Sequence, residues 1–120
     1  MQKKNLVETN ETSSKIRFAD EKTKYKIYEL QKGNFEEKQL FKFINEALDN
    51  IEENAFCGVQ IPKKLIPKEY SKKYRIKNLW KYNLPKGERL IYSIVNDEII
   101  VVSIILEWLE HKDYEKRFKY

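Results

Sequence analysis

Arg89, His111 and Tyr114 are the residues of this chain whose types suit cofactor-free chemistry. The reaction they fit is cleavage of an RNA phosphodiester. A base must take the 2′-hydroxyl proton, cations must offset the charge that builds on the phosphate, and an acid must protonate the leaving 5′-oxygen. An arginine offers phosphate a rigid fork of donors, and an imidazole exchanges protons near neutral pH. Lys77, Lys81, Asn83 and Arg117 are the candidates for holding RNA. Each residue also has a plain structural role open to it. Arg89 is equally suited to pair with a surface carboxylate. A lone histidine in a charged tail is often just exposed, and Tyr114, Phe118 and Tyr120 can pack that tail onto a sheet.

Composition excludes several other chemistries. One histidine and one cysteine do not make a zinc site. Three glycines, none in a phosphate-cradling pattern, leave no nucleotide loop, and no serine sits in a nucleophile elbow. The expectation is an activity without metal or cofactor. Cys57 has no partner for an internal disulfide, which suits a reducing compartment. The longest apolar stretch, Ile99 to Leu109, is interrupted by Ser103 and Glu107 and is too short to span a bilayer. No apolar signal core opens the chain. A soluble cytoplasmic protein is expected.

The net charge of +5 is unevenly spread. Residues 34–54 carry six acids and two lysines, a net of −4. Residues 61–89 carry ten basic side chains against Glu69 and Glu88, a net of +8. The middle of the chain is therefore an attractor of polyanions. Tyr70, Tyr74, Trp80 and Tyr82 lie among those charges, as core residues or as platforms for unpaired bases. The two tryptophans, Trp80 and Trp108, read as core. Lysine outnumbers arginine twenty to four, so the arginines stand out as the cations of fixed geometry.

The elements that must position these residues follow from periodicity. Residues 1–13 read as a polar tail, and residues 14–120 as one domain. Ser14 to Ala19 alternates as a strand, Asp20 is an N-cap, and a helix is expected from Glu21 to Lys32 with a stop at Gly33. Leu40, Phe41, Ile44, Ala47, Leu48 and Ile51 form one apolar stripe, which predicts a helix over Phe35 to Glu53. Residues 54–77 read mainly as loop, with a turn of helix around Lys68 to Tyr74. Strands are expected at Leu79–Leu84, Glu88–Val95 and Ile99–Leu106, joined by Pro85–Gly87 and by a tight turn at Asn96-Asp97. The last strand is apolar on both faces, which predicts cover on both sides. A three-residue turn at Pro85–Gly87 pairs Leu84 with Glu88. Asn83 then lies opposite Arg89 and Lys81 opposite Ile91, so that Lys81, Asn83 and Arg89 share a face. A helical C-terminal segment puts His111 and Tyr114 on one side, with Glu107 one turn earlier. The fold class is α+β, in the order β-α-α-β-β-β, a helical hairpin packed on a small, mostly antiparallel sheet.

The run from Tyr74 through Lys81, Arg89, Leu90 and Ile91 to Tyr92 resembles the strand pair of RelE/ParE superfamily toxins, with a basic strand, a glycine turn and an Arg-Leu-aliphatic-Tyr strand. The segment His111-Lys-Asp-Tyr114-Glu-Lys-Arg117-Phe resembles the tail of the same superfamily near its RelE and YoeB branches. Ile16-Arg-Phe-Ala-Asp20 before two helices is similar to the family's opening. The chain lacks the Lys-x-Lys of RelE proper before the turn, and its tail is more acidic. The resemblance implies a RelE-like fold and the toxin of a type II toxin–antitoxin system. Such a toxin is a metal-independent, ribosome-dependent messenger RNA endoribonuclease that inhibits translation and is neutralised by a cognate antitoxin protein. Arg89 matches the strand arginine at the scissile phosphate, Lys81 approximates the basic residues of the preceding strand, and Tyr114 approximates the C-terminal tyrosine. The alternative within the superfamily is a relative that cuts nothing, either an inhibitor of topoisomerase or an RNA-binding module.

Overall fold

A computed structural model describes residues 13–96 and 101–118. Strand β1 (Lys15–Phe18) leads to helix α1 (Glu21–Tyr28), which tightens into a 3-10 turn over Glu29–Lys32. Asp20 caps α1, its carboxylate accepting the Thr23 backbone N–H at 2.7 Å. That bond holds the Asp20 carboxyl below its ordinary range. Helix α2 (Phe35–Glu53) occupies the span its apolar stripe predicts. A capping box starts it: Asn34 accepts from the Glu37 backbone and Glu37 accepts from the Asn34 backbone, both at 2.9 Å.

The next segment holds more structure than its sequence suggests. Strand β2 (Val59–Ile61) stands where a loop is expected, and helix α3 (Lys68–Tyr74) fills the anticipated helical turn. The Val-Gln-Ile alternation of β2 is only three residues long, too short to mark a strand, and Ile61 alone is buried. The chain then forms β3 (Leu79–Asn83), β4 (Arg89–Asn96), β5 (Val101–Leu109) and helix α4 (His111–Phe118). The predicted tail at 1–13 falls almost wholly outside the described residues, as does most of the predicted turn after Asn96. Strand β5 runs further than Leu106, through Glu107 to Leu109. Glu107 is thus a strand residue, and the expectation that it sits on the helix of His111 is corrected: the helix starts only at His111.

The mixed sheet has five strands in the order β1-β5-β4-β3-β2. Strand β1 pairs with β5 in parallel, and the other pairs are antiparallel. The β3–β4 hairpin has the expected register: Leu84 donates to the Glu88 carbonyl at 2.8 Å, Asn83 faces Arg89 and Lys81 faces Ile91. The turn needs left-handed backbone at Lys86 (φ 63°) and Gly87 (φ 76°). A register shift between Ile91 and Tyr92 marks a bulge at Leu106 in β5.

Each face of the sheet carries its own core. Helices α1 and α2 cover one face, burying Ile27, Ile44, Ala47 and Ile51 against Leu90, Tyr92 and Ile105. Helices α3 and α4 cover part of the other, burying Tyr70 and Tyr114 with Ile61, Leu79, Ile91 and Leu106. From Ile105 to Leu109, where its side chains are described, strand β5 is therefore covered on both sides. Trp80 and Trp108 both join the first core, and the Trp108 indole donates to Glu88 at 2.7 Å. Among the described residues no helix is long and apolar enough to cross a membrane.

Candidate functional site

The α3/α4 side of the hairpin gathers the cations. Strand alternation puts Lys81 on that face, and its Nζ donates to the Tyr114 Oη at 2.9 Å. The Arg89 guanidinium carbon lies 4.6 Å from the centroid of the same ring, and Lys81 Nζ lies 5.1 Å from it. Tyr114 is only 1% exposed and stacks on Phe118, centroids 4.6 Å apart. One buried phenol thus holds two cations in fixed positions.

Neither cation is neutralised. Among the described residues, no carboxylate lies within salt-bridge distance of Lys81 or Arg89. Arg89 Nη1 donates to the Glu88 carbonyl at 3.2 Å, while its Nε is buried and has no hydrogen-bond partner. The plain role, pairing of Arg89 with a surface carboxylate, does not apply. A partly buried guanidinium with an unmet donor, beside an ammonium, suits an anion with several oxygens.

His111 stands at the start of α4, one turn before Tyr114. Its imidazole packs on the hairpin turn, where a Cβ on Gly87 would come within 2.6 Å of His111 Nδ1. Glycine is therefore required there twice, for its left-handed backbone and for this approach. The side chain of His111 is 54% exposed, and its Nε2 lies 3.5 Å from Glu115. His111 and Arg89 are thus at one end of one hairpin, the first against the turn and the second just after it.

The other predicted residues divide. Asn83 lies opposite Arg89 and is exposed. Lys77 is exposed in the loop before β3, at the far end of that strand from Asn83, and is not brought to the site. Arg117 is half-buried and engaged: it bonds Glu107 at 2.7 Å, donates to the Tyr70 hydroxyl at 3.4 Å and sits 3.9 Å from Glu69. Burial works most strongly against its charge, but Glu107 and Tyr70 together outweigh this and leave its pKa raised. Burial, reinforced by Glu107, pushes the Tyr70 phenol up, so Tyr70 stays protonated.

Reading the sequence missed Glu107 as the partner of Arg117, Gly87 as the seat of His111 and Phe118 as the support of Tyr114. The spacing of Tyr114 and Phe118 was the available signal for the last, since residues four apart share a helix face. A cleft of about 660 Å³ lies elsewhere, between the start of α2 and the hairpin turn. It carries Glu36, Glu37, Glu88 and Glu110, a lining that repels phosphate. Among the described residues, no cluster of three or more histidine, cysteine or acidic side chains is arranged to hold a metal ion. Comparison with known proteins matches no family model, no curated protein and no solved structure.

Proposed function

We propose that this protein is a RelE/ParE-type toxin that cleaves messenger RNA on the ribosome without a metal, and that a cognate antitoxin restrains it. The observation that carries this reading is the pair of unneutralised cations, Lys81 and Arg89, fixed around the Tyr114 ring beside the imidazole of His111. Arg89 binds the scissile phosphate and offsets the charge of the pentacoordinate phosphorus. The 2′-oxygen attacks phosphorus as its proton leaves, and the bond to the 5′-oxygen breaks as that oxygen takes a proton. His111 is exposed and serves the proton transfer. Tyr114 is buried and acts as a positioning residue, through its bond to Lys81 and its ring beneath Arg89. Asn83, exposed beside the hairpin turn, contacts the RNA.

The test is induction of the chain in growing cells, with primer extension on translated messages. New internal ends are expected with the native protein. In Arg89→Ala/His111→Ala they are lost along with growth inhibition, while the circular dichroism spectrum is unchanged. Undiminished toxicity in the double variant refutes the assignment.

A second reading, a relative that binds without cutting, is favoured by one observation. The reaction moves two protons, and among the described residues His111 is the single exposed imidazole or phenol at the site, with Tyr114 buried. Arrested growth without new message ends points to that reading.

A further inference from the structure

Beside the two cations lies a second concavity of different character. It is a cleft of about 430 Å³ at the sheet edge, within the roughly 300–1,000 Å³ range of small-ligand sites. Asn50 and Glu53 from the end of α2, Asn54, and Lys81, Tyr82 and Asn83 from β3 line it. The cleft exists because β2 is short. Its pairing ends where Val59 faces Lys81, so Tyr82 and Asn83 have no strand beside them. Leu84 bonds to Glu88 across the hairpin. The alternation of an antiparallel ladder then turns the main-chain N–H and C=O of Asn83 away from β4, toward this open edge.

On the α2 side the lining includes Asn50, Asn54, Glu53 and Tyr82, which bring amides, one carboxylate and a phenol, and Cys57 to Val59 close it below. A phosphate would be repelled by Glu53. A planar heterocycle with donors and acceptors on its rim fits, because each lining group can take one side of that pattern. Two of the amides are already oriented. Asn50 donates to the Tyr82 hydroxyl at 2.8 Å, and Asn54 accepts from the Phe56 N–H at 2.9 Å. Glu53 is exposed and forms no salt bridge among the described residues. Lys81 and Asn83 run along this edge with their side chains on the cationic face, so the cleft and that face share one strand.

We propose that this cleft is a nucleobase subsite, selective for bases with an exocyclic amino group, which donates to the Glu53 carboxylate. The inference deepens the RNA reading given above and rests on it for its biological use. Cytosine presents such an amino donor where uracil presents an acceptor. Uracil therefore sets its carbonyl oxygen against a carboxylate.

Cytidine and uridine 5′-monophosphates make the minimal pair, equal in size and phosphate charge, and are titrated against the whole chain by NMR. Cytidine monophosphate is expected to bind about tenfold more tightly, near the low end for one base-specific contact because Glu53 is exposed. Glu53→Ala removes that preference and leaves uridine monophosphate no weaker. The change sits at the C-terminal end of α2, where loss of an acid does not harm the helix. Lys81→Ala weakens both nucleotides alike. Equal affinities, no binding of either, or a preference that survives Glu53→Ala overturns the proposal. Primer extension separates it from the nuclease reading. A preference without new message ends sinks the nuclease reading alone. Ends whose flanking bases are unchanged in Glu53→Ala sink the subsite alone.

Discussion

On one face of the sheet, α1 and α2 seal Ile27, Ile44, Ala47 and Ile51 over the strands, and the outer side of α2 is acidic. On the other face the short helices α3 and α4 cover only part of the strands. On this face Asn83 is exposed, and among the described residues no carboxylate pairs with Lys81 or Arg89. The first face spends its residues on apolar contact. The second uses a buried tyrosine to hold like charges together, an arrangement that stability alone does not favour. The tightly packed core and the clustered cations thus lie on opposite sides of one sheet.

Substitutions on the two faces should separate these roles. The largest effect is expected on the sealed face. Ile44→Ala leaves a cavity under α2 and should cost about 2–5 kcal/mol in urea unfolding, with the cation site intact. A cost below that range would mean that the face is less tightly packed than its burial indicates. Next comes Arg117→Ala on the open face. It strands Glu107, whose side chain is 22% exposed, and frees the Tyr70 hydroxyl, for a loss of about 1–3 kcal/mol. An unchanged unfolding midpoint would return Arg117 to the pool of cations available for RNA.

Asp20→Ala probes the entry to the sealed face and should cost about 1 kcal/mol at neutral pH. The folded pKa of Asp20 lies below its ordinary value of 3.8. Its contribution is therefore complete above that value and is lost as the pH falls through the lowered one. Unfolding curves of the variant and the parent should converge in acid, and a constant gap would show that the cap acts without its charge. The smallest effect is expected from Arg89→Ala. Loss of its contact with Tyr114 is offset by relief of repulsion from Lys81, so stability should stay within about 0.5 kcal/mol while RNA cleavage disappears. A large loss of stability would make Arg89 a structural residue like Arg117.

Local signals carried much of this architecture. The stripe from Leu40 to Ile51 marks α2 to its ends, and Pro85–Gly87 sets the register that puts Lys81 and Arg89 on one face. What escaped is non-local. The bulge at Leu106 keeps Glu107 in the strand and aims it at Arg117, and no pattern within β5 announces a bulge. Strand β2 carries two β-branched residues, but it is only three residues long and is fixed by its pairing across the sheet, where Gln60 meets Trp80. The burial of Tyr114 depends on α4 folding back over the hairpin, whereas its sequence neighbours are all charged. The fold class was therefore legible, and the division of the arginines into one engaged and one free was not.

The parallel strand pair has a consequence for how the molecule comes together. Lys15 lies opposite Val102, so the first strand waits for the fifth, and β4 needs that same strand for its second neighbour. A nascent chain that has emerged only as far as the hairpin has Arg89 and Lys81 but neither β5 nor the helix that carries His111 and Tyr114. Contacts this distant along the chain close slowly, because the intervening loop must be ordered first. Closure of the cation site is thus delayed until β5 and α4 are in place.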